Sequence, residues 1–241
     1  TVLITGAGGS IGSELVRQVL NFAPEKVVLL DNSEFNLFTI NQECASYRRT
    51  QSISPVLEDV RSKEAVERVF IEHEPDIVFH AAAYKHVPMQ EEHPWQAVNT
   101  NVAGTKNVVE LAEQYGVEKF ILVSTDKAVR PTSVMGATKR IAELLIHENG
   151  VKRKTKFMAV RFGNVIGSSG SVIPTFREQI QKGGPVTVTH PDIERYFMSI
   201  PEAAQLILQA GALGNGGETF VLEMGEAIKI DTIARELIRL S

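Results

Sequence analysis

The sequence predicts an α/β protein built on a doubly wound parallel sheet, with a small C-terminal substrate-binding lobe. Short runs of valine, isoleucine and leucine alternate along the chain with longer amphipathic segments. Apolar strands between helices are typical of a parallel sheet that helices cover on both faces. With 241 residues, of which 43% are hydrophobic, the chain is also long enough to bury such a core.

Five strands are predicted in order, and each precedes a helical segment. They are the runs TVLIT, KVVLL, SISPVL, DIVFH and KFILVS. After about residue 163 the stretches GNVIGSSGSVIP and QKGGPVTVTHPD bring glycine, serine and proline, which favour loops and short strands. We therefore divide the chain into a sheet domain, residues 1–163, and a substrate lobe, residues 164–241, interleaved with the last elements of the sheet.

The charge balance and the single cysteine narrow the class of protein. The formal net charge is −4, which disfavours nucleic acid or an anionic membrane surface as partner. Cys44 is the one cysteine, so no disulfide can form within the chain, and a reducing, cytosol-facing location is expected. No apolar run reaches the ~18 residues that span a bilayer. The first strand starts at Thr1, from which we expect that an N-terminal portion has been removed.

A glycine-rich turn follows the first strand and opens the first helix. Glycines spaced by three residues let the turn tighten, let backbone N–H groups approach a pyrophosphate, and let the helix pack on the strand. An ordinary tight turn between a strand and a helix is the alternative. The turn predicts a Rossmann-type dinucleotide site, to which we assign Gly6, Gly9, Ser10, Ile11 and Gly12.

An acid after the second strand stands where a ribose is usually bound. Asp31 can accept hydrogen bonds from both ribose hydroxyls and would repel a 2′-phosphate, which favours NAD over NADP. A helix N-cap before Ser33 is the alternative role of Asp31. Asp59 and Val60, at the end of the third strand, can read an adenine edge, and a simple turn is the alternative for Asp59. The three alanines after the fourth strand leave room for a ligand, although alanines packed under a helix would look the same. The further cofactor-binding residues that we predict are Asn32, Asp59, Val60, Ala81, Ala82 and Ala83.

Six motifs together resemble the extended short-chain dehydrogenase/reductase superfamily: TGAGGSIG, HAAAYKHVP, NTNVAGT, STDKA, MGATK and RFGNVIGSSGSVIP. More narrowly, they resemble the membrane-associated bacterial UDP-N-acetylglucosamine 4,6-dehydratases of capsule, O-antigen and protein-glycosylation pathways. The resemblance implies bound NAD, oxidation of the sugar at C4, loss of water across C5 and C6, and return of the hydride to C6. It also implies UDP-N-acetylglucosamine as substrate and an inner-membrane anchor, on the cytoplasmic face, outside this segment. A homo-oligomer is left open.

The resemblance places a methionine where the superfamily has its catalytic tyrosine. Met135 and Lys139 are four residues apart on a helix, so they share one face. A thioether cannot take a proton from a hydroxyl, and Met135 is otherwise expected to pack. We expect Lys139 to hold the nicotinamide ribose. Thr125, which matches the superfamily's hydroxyl residue, is expected to bridge the C4 alcohol and to relay its proton toward Lys139.

Asp126 and Lys127 are the expected elimination pair. Once C4 is a ketone, the C5 proton is acidified and the departing C6 hydroxyl needs an acid beside it. Asp126 suits the acid role if burial keeps it protonated. Lys127 must be neutral to act as the base, which nearby positive charge would favour. A surface Asp–Lys pair is the alternative.

Further residues match the superfamily's nucleotide-sugar region. A guanidinium there can clamp a diphosphate with two hydrogen bonds, a role open to Arg195 and, unless it pairs with an acid, to Arg161. Asn101 is expected to be a buried amide that ties a helix to a strand. We assign no metal ligand. The substrate-binding residues that we predict are Lys85, His86, Asn164, Ser171, Val172 and Arg195.

Two other functions remain open. A nucleotide-sugar 4-epimerase would use the same cofactor, but epimerisation at C4 needs neither a base at C5 nor an acid at C6, which Asp126 and Lys127 would supply. A non-catalytic NAD-binding module that lost its tyrosine would be expected to have lost more of the site, yet Lys139 and the T-D-K sequence are present. The substituents of the sugar and the stereochemistry at C5 are not decided by the sequence.

Overall fold

The computed structural model describes residues 1–46, 51–147, 154–168 and 170–241. Within these ranges the helices are α1 Ser10–Asn21, α2 Glu34–Glu43, α3 Lys63–His73, α4 Val87–Glu92, α5 Pro94–Ala97, α6 Thr105–Gln114, α7 Val134–His147, α8 Val172–Gln181, α9 Ile200–Leu213 and α10 Ile230–Arg239. The strands are β1 Val2–Thr5, β2 Lys26–Asp31, β3 Ser52–Leu57, β4 Ile77–His80, β5 Lys119–Val123, β6 Lys156–Arg161, β7 Asn164–Ile166, β8 Glu194–Arg195, β9 Phe197–Ser199, β10 Thr219–Val221 and β11 Ile228–Lys229. Shorter segments are the 3₁₀ turns Cys44–Ser46 and Asp126–Ala128 and the π-helical Val98–Gly104. None of the described helices is long and apolar enough to cross a membrane.

Seven strands form one parallel sheet in the order β10-β6-β5-β4-β1-β2-β3. Strand β1 pairs with β2 on one side and with β4 on the other, so the strand order reverses next to β1. Ligands of such sheets bind outside the carboxyl ends of the strands at this reversal. The Rossmann-type fold predicted from the sequence is confirmed, and the five predicted runs become β1 to β5. Strand β2 includes Asp31, which the sequence placed just beyond it.

Alternation along the strands sends side chains into two apolar layers. In β5, Phe120 and Leu122 face one layer, while Ile121 and Val123 face the other. The first layer lies under α3, α6 and α7, and the second lies under α1, α2 and α9. Both faces of the sheet are therefore covered, which explains why its inner strands β1, β2, β4 and β5 are mostly apolar, whereas the edge strand β3 contains two serines and a proline.

The C-terminal part contains more helix than its composition predicts. Loops and short strands were expected after residue 163, but α8, α9 and α10 contain 10, 14 and 10 residues. Helix α9 starts at a capping box, because the Ser199 hydroxyl accepts the Glu202 N–H while the Glu202 carboxylate accepts the Ser199 N–H. The chain re-enters the large sheet as β10, beside β6. The division of the chain at residue 163 stays a prediction. A small separate core contains Phe176, Ile230 and Ala234.

A fully buried histidine connects the two central strands to α6. The Thr5 hydroxyl lies 2.7 Å from His80 Nδ1, and the Thr105 hydroxyl lies 3.0 Å from His80 Nε2. Thr105 donates its own proton to the Asn101 carbonyl oxygen at 2.7 Å, so the His80 Nε2–H is the donor toward Thr105. Burial, and secondarily the charge of Lys139, lowers the pKa of His80 to about 3. The imidazole is therefore neutral at neutral pH.

Replacing His80 by Asn should reduce the pH dependence of stability. The pKa of His80 is lowered from 6.5 to about 3 on folding, so the unfolded state binds the extra proton and stability is lost as the pH falls below 6.5. Between about pH 7 and pH 5 this loss is roughly 2 kcal/mol. Urea titrations at both pH values measure it. The loss should shrink in His80→Asn and persist in His190→Asn, whose side chain is exposed. Equal losses in all three proteins would show that His80 is not responsible.

Candidate active site

A cavity of about 780 Å³ opens at the carboxyl edge of the sheet, where β1, β4 and β5 end. Its wall combines the glycine-rich turn, the residues after β4 and β5, the start of α7 and the segment after β6. The volume is in the range of pockets that bind small ligands. The predicted site residues that line it are Gly6, Gly9, Ser10, Ile11, Gly12, Ala81, Ala83, Lys85, His86, Thr125, Lys127, Met135, Lys139, Asn164 and Ser171.

Other predicted site residues lie outside this wall. Val172 and Arg195 line a second cavity of about 180 Å³, which shares Asn164 with the main one. The backbone of Ala82 packs against Gly6, where an added Cβ would come within 2.7 Å of the Ala82 nitrogen. The members of the predicted set that line neither cavity are Ala82, Asp31, Asn32, Asp59, Val60 and Asp126.

The glycine-rich turn brings backbone N–H groups to the cavity. A Cβ on Gly12 would lie 1.9 Å from the Gly6 carbonyl oxygen, so only glycine lets α1 start this close to the turn. The N-cap of α1 is Gly9, which leaves the first N–H groups of the helix without a side-chain cap. Such N–H groups, at the positive end of the helix dipole, bind phosphate oxygens. The turn can therefore hold a diphosphate.

Asp31 is buried beside the turn and accepts backbone hydrogen bonds. Its Oδ2 accepts the Gly8 N–H and its Oδ1 accepts the Ser33 N–H, both at 2.9 Å. The N-cap of α2 is Ser33, whose hydroxyl accepts the Asn36 N–H, so the alternative in which Asp31 caps this helix is wrong. A carboxylate oxygen can accept more than one hydrogen bond, and Asp31 keeps capacity for ligand hydroxyls. Its contact with a ribose stays a prediction.

The polar residues that follow β3 bind one another. The Asp59 carboxylate accepts hydrogen bonds from the Arg61 guanidinium at 2.6 and 2.9 Å and from the Asn32 amide at 3.2 Å. Burial raises the pKa of Asp59, but the hydrogen bonds from Arg61 and Asn32 outweigh burial and lower it. The Val60 side chain is buried against Gly104 and does not face the cavity. Adenine contacts from Asn32, Asp59 and Val60 stay a prediction.

Met135 and Lys139 lie side by side in the cavity wall, as their spacing on α7 predicts. Their exposed fractions are 4% and 6%. Burial lowers the pKa of Lys139 to about 8, against the opposing effect of the Glu143 carboxylate. Among the described residues the Lys139 ammonium has no hydrogen-bond or ion-pair partner, so it is open to a ligand. A Cβ on Gly136 would lie 2.4 Å from the Lys127 carbonyl oxygen, and this glycine therefore lets the STDKA segment approach α7.

The T-D-K sequence forms one hydrogen-bonded group after β5. Lys127 Nζ donates to Asp126 Oδ1 at 2.9 Å and to Asn164 Oδ1 at 3.1 Å. The Thr125 hydroxyl donates to the same Asp126 oxygen at 2.9 Å. The expected burial of Asp126 is not found, because 41% of its side chain is exposed. Asp126 begins a 3₁₀ turn beyond the end of the strand, where its carboxylate reaches solvent.

A buried carboxylate that the sequence motifs did not point to joins several parts of the site. Glu143 lies one turn after Lys139 and is fully buried. Its two oxygens accept hydrogen bonds from Ser124 at 2.6 Å, from Arg161 at 2.6 and 2.7 Å and from Arg140 at 3.0 Å. Burial raises the pKa of Glu143, but these hydrogen bonds outweigh burial and lower it. Arg161 thus pairs with an acid, the second of its two predicted roles.

Asn101 is the buried tie that the sequence predicts. Its amide accepts the Tyr84 N–H at 2.8 Å, donates to the Tyr84 carbonyl oxygen at 2.9 Å and donates to the Thr138 hydroxyl at 3.0 Å. These bonds join the segment after β4 to α7. They hold α7, which carries Lys139, against the segment after β4 that also lines the cavity.

The cavity wall contains buried polar atoms without a partner, and further residues to which the sequence analysis gave no role. Gln90 Oε1 and Ser171 Oγ are buried and have no hydrogen-bond partner among the described residues. Buried polar atoms in proteins are nearly always paired, so a ligand is expected to complete these two. Ser168 and Gly170 also line the cavity and lie in the segment 168–174, which the resemblance placed in the nucleotide-sugar region. The lining residues to which the sequence gave no role are Gly8, Asn36, Tyr84, Met89, Gln90, His93, Gln96, Val123, Ser124, Phe162, Gly163 and Val165.

The fold and this cavity define an extended short-chain dehydrogenase/reductase. The Rossmann-type sheet, the glycine-rich turn, the acid at the end of β2 and the cavity lysine on α7 are its features. Within that class, the model of the polysaccharide biosynthesis protein family matches residues 2–241. The chain belongs to this family, and the resemblance stated from the motifs is confirmed.

Relatives with assigned names include both dehydratases and epimerases. The chain is 56% identical over 243 residues to the capsular polysaccharide biosynthesis protein CapD of Staphylococcus aureus, a match that covers 100% of this chain but 41% of that relative. It is 36% identical over 244 residues to a UDP-glucose 4-epimerase of Rickettsia rickettsii. It is 34% identical over 241 residues to the inverting UDP-N-acetylglucosamine 4,6-dehydratase of Campylobacter jejuni. Both of these matches cover 98% of this chain and 70% of the relative.

A solved structure supports the same assignment. The UDP-glucose 4-epimerase of Thermus thermophilus, in complex with NAD, has a TM-score of 0.80 to this chain at 27% identity. The match covers 99% of this chain and 81% of that one. The fold is therefore shared over the whole chain, including the C-terminal part.

Replacing Glu143 by Gln should destabilise the protein by about 3 to 5 kcal/mol, because two arginines lose a buried charged partner. Because folding lowers the pKa of Glu143, its stabilisation is present at neutral pH and is lost as the pH falls below about 4.5, through the folded pKa. Urea denaturation at neutral pH measures the change.

The matched control is Glu178→Gln, which breaks an exposed ion pair with Lys182 and should cost less than about 1 kcal/mol. If Glu143→Gln costs no more than this control, the buried carboxylate does not hold the site together.

Proposed function

We propose that the protein is a nucleotide-sugar 4,6-dehydratase that uses NAD and acts on UDP-N-acetylglucosamine. The observation that carries the proposal is the pairing of Asp126 with Lys127 at 2.9 Å, with Lys127 in the wall of the cavity that also holds Lys139 and the glycine-rich turn. Loss of water needs an acid and a base beside the sugar, in addition to the groups that hold a redox cofactor. The names of the Campylobacter and Staphylococcus relatives support this reaction and a role in capsule synthesis.

The cavity residues fit a nicotinamide dinucleotide. The N–H groups at the start of α1, which no side chain caps, suit its diphosphate, and Asp31 suits one ribose. The Lys139 ammonium, which has no partner among the described residues, suits the hydroxyls of the other ribose. When bound, NAD would supply the hydride acceptor for sugar C4 and the hydride donor for C6. The complex of the Thermus relative with NAD supports the same cofactor.

Thr125 offers a path for the proton of the C4 hydroxyl, which Met135 cannot accept. Because the Thr125 hydroxyl donates to Asp126 Oδ1, a proton that enters at Thr125 Oγ1 can pass onward to Asp126. We therefore propose a relay toward Asp126 in place of the relay toward Lys139 that the sequence predicted. The positive charge that Lys139 carries below its pKa of about 8 stabilises the developing alkoxide.

Asp126 and Lys127 would then complete the elimination. The neutral Lys127 amine takes the C5 proton, and the electron pair of the C5–H bond forms the C5–C6 double bond. The C6–O bond breaks as Asp126 passes the relayed proton to the departing hydroxyl, so water leaves. The Lys127 ammonium returns a proton to C5 when C6 receives the hydride. Since Lys127 and Asp126 form an ion pair at 2.9 Å, this pair must first lose one proton to solvent.

A 4-epimerase is the second candidate, because an enzyme of that name in Rickettsia rickettsii is 36% identical. Inversion at C4 requires oxidation and reduction at the same carbon and no chemistry at C5 or C6. It would leave Asp126 and Lys127 without a catalytic role. The products separate the two candidates, since the dehydratase product lacks one water and the epimerase product has an unchanged mass.

The cellular setting is proposed from the same similarities. The chain spans 41% of the length of CapD. Partners that bind the rest of such a protein are therefore not visible in this segment. An inner-membrane anchor outside these residues, with the cavity on the cytoplasmic face, stays a prediction.

The protein should bind NAD at least about tenfold more tightly than NADP, because the Asp31 carboxylate repels a 2′-phosphate. Calorimetric titration with each cofactor measures this preference without any turnover. Asp31→Asn should narrow the ratio, whereas Asp192→Asn, at an exposed acid, should preserve it. Tighter binding of NADP by the unaltered protein would overturn the cofactor assignment.

Lys127→Met should reduce dehydration of UDP-N-acetylglucosamine by at least about 100-fold, because it removes the base while keeping the length of the side chain. The 4-keto hexose should still form, and it can be trapped with borodeuteride and identified by mass spectrometry. In D₂O the unaltered protein should deliver a deuteron to C5, since a lysine ammonium exchanges its protons with water.

The control is Lys63→Met, at an exposed lysine paired with Glu110, which should dehydrate normally. Full dehydration with normal C5 deuteration in Lys127→Met would remove Lys127 from the elimination. A product inverted at C4 without loss of water would establish the epimerase instead.

A further inference from the structure

Asn164 contacts the expected base and lies between the two cavities. Its Oδ1 accepts a hydrogen bond from Lys127 Nζ at 3.1 Å. It also lines both the main cavity and the smaller one that contains Arg195. Sequence reasoning gave Asn164 a role in substrate binding alone. We infer that Asn164 is a positioning residue that couples occupation of the smaller cavity to the placement of the Lys127 amine. This inference rests on the proposed function.

The backbone of Asn164 is fixed by the C-terminal part of the chain. Asn164 begins β7, which pairs in parallel with β9 in register with Phe197. The Asn164 N–H donates to the Tyr196 carbonyl oxygen at 3.1 Å. These backbone contacts fix the point from which the Asn164 side chain reaches Lys127. The hydrogen bond therefore ties the lysine to a fixed point in the substrate lobe.

The two ends of the Asn164 amide have different partners. The oxygen is engaged by Lys127, whereas Nδ2 makes no hydrogen bond to any residue in the described ranges. An amide N–H donates to anionic oxygens such as those of a diphosphate. The Arg195 side chain, in the wall of the same small cavity, adds a positive charge for such a ligand. One amide can thus bind the substrate with its nitrogen and hold the lysine with its oxygen.

Coupling follows from the shared amide. A hydrogen bond donated by Nδ2 polarises the group and makes Oδ1 a better acceptor, since hydrogen bonds in a chain strengthen one another. Lys127 Nζ also donates a hydrogen bond to Asp126 Oδ1, and this hydrogen bond must break when Asp126 acts as the acid. At that moment Asn164 is the acceptor that keeps the amine in the cavity. Substrate binding therefore fixes the base at the step that needs it.

Asn164→Asp tests the inference, because it keeps the oxygen beside Lys127, removes the donor and adds a negative charge. The added carboxylate favours the ammonium form of Lys127, so the rising limb of the pH profile for dehydration should move up by about one pH unit. At neutral pH the variant should have a lower kcat and a higher KM than the unaltered protein. The matched control is Asn215→Asp. Asn215 is exposed and precedes β10, so it lies at the amino ends of the strands, away from the cavity, and this variant should keep the original pH profile. A higher KM with an unshifted profile and unchanged kcat would reduce Asn164 to substrate binding and overturn the inference.

A binding measurement keeps the inference separate from the proposed reaction. UDP affinity is measured by calorimetry for the unaltered protein, Asn164→Ala, Lys127→Met and the double variant. If Asn164 couples the ligand to Lys127, Asn164→Ala should change the UDP affinity of the unaltered protein and of Lys127→Met by factors that differ at least about threefold. Equal effects in both backgrounds would overturn the coupling. Failure of the unaltered protein to dehydrate UDP-N-acetylglucosamine would instead overturn the proposed function, and this cycle would still decide the coupling.

Discussion

Glu143 carries its negative charge in the fully buried space where the ends of β5 and β6 meet α7. Three donors compensate for this burial, and each belongs to a segment that leads into the cavity. Ser124 precedes Thr125, Arg140 follows Lys139, and Arg161 leads through two residues to Asn164. A buried carboxylate with fewer donors would cost several kcal/mol, so the Glu143 charge favours the arrangement in which all three segments meet it. The positions of the groups proposed for both halves of the reaction depend on this one charge.

The parts of the site that the sequence predicts are those that depend on local spacing. The glycine-rich turn and the pair Met135 and Lys139 each lie on one element, and the periodicity of that element sets where their side chains point. Glu143 lies four residues after Lys139, so the same spacing could have placed it at the site. Its partner Arg161 could not be identified, because that contact depends on how β6 lies beside β5.

Other features were missed because they depend on packing over long sequence distances. The exposure of Asp126 follows from where the 3₁₀ turn leaves the end of β5, which composition does not specify. The hydrogen bond from Lys127 to Asn164 joins residues 37 positions apart. The helices after residue 163 were missed because glycine and proline lie mainly at the helix boundaries. At such positions these residues mark where a helix starts or ends and do not argue against the helix.

The return of the chain to the large sheet limits how this protein can be divided. After β6 the chain builds the second cavity and α9, and only then adds β10 along the edge of β6. A fragment ending at residue 163 would lack α9, one of the three helices over one apolar face, and β10, which covers the β6 edge. Open strand edges and bare apolar faces promote aggregation. Residues 164–241 therefore cannot be exchanged between relatives as a cassette joined at one point. We expect new ligand specificities in this scaffold to arise by substitution within the loops that line the two cavities.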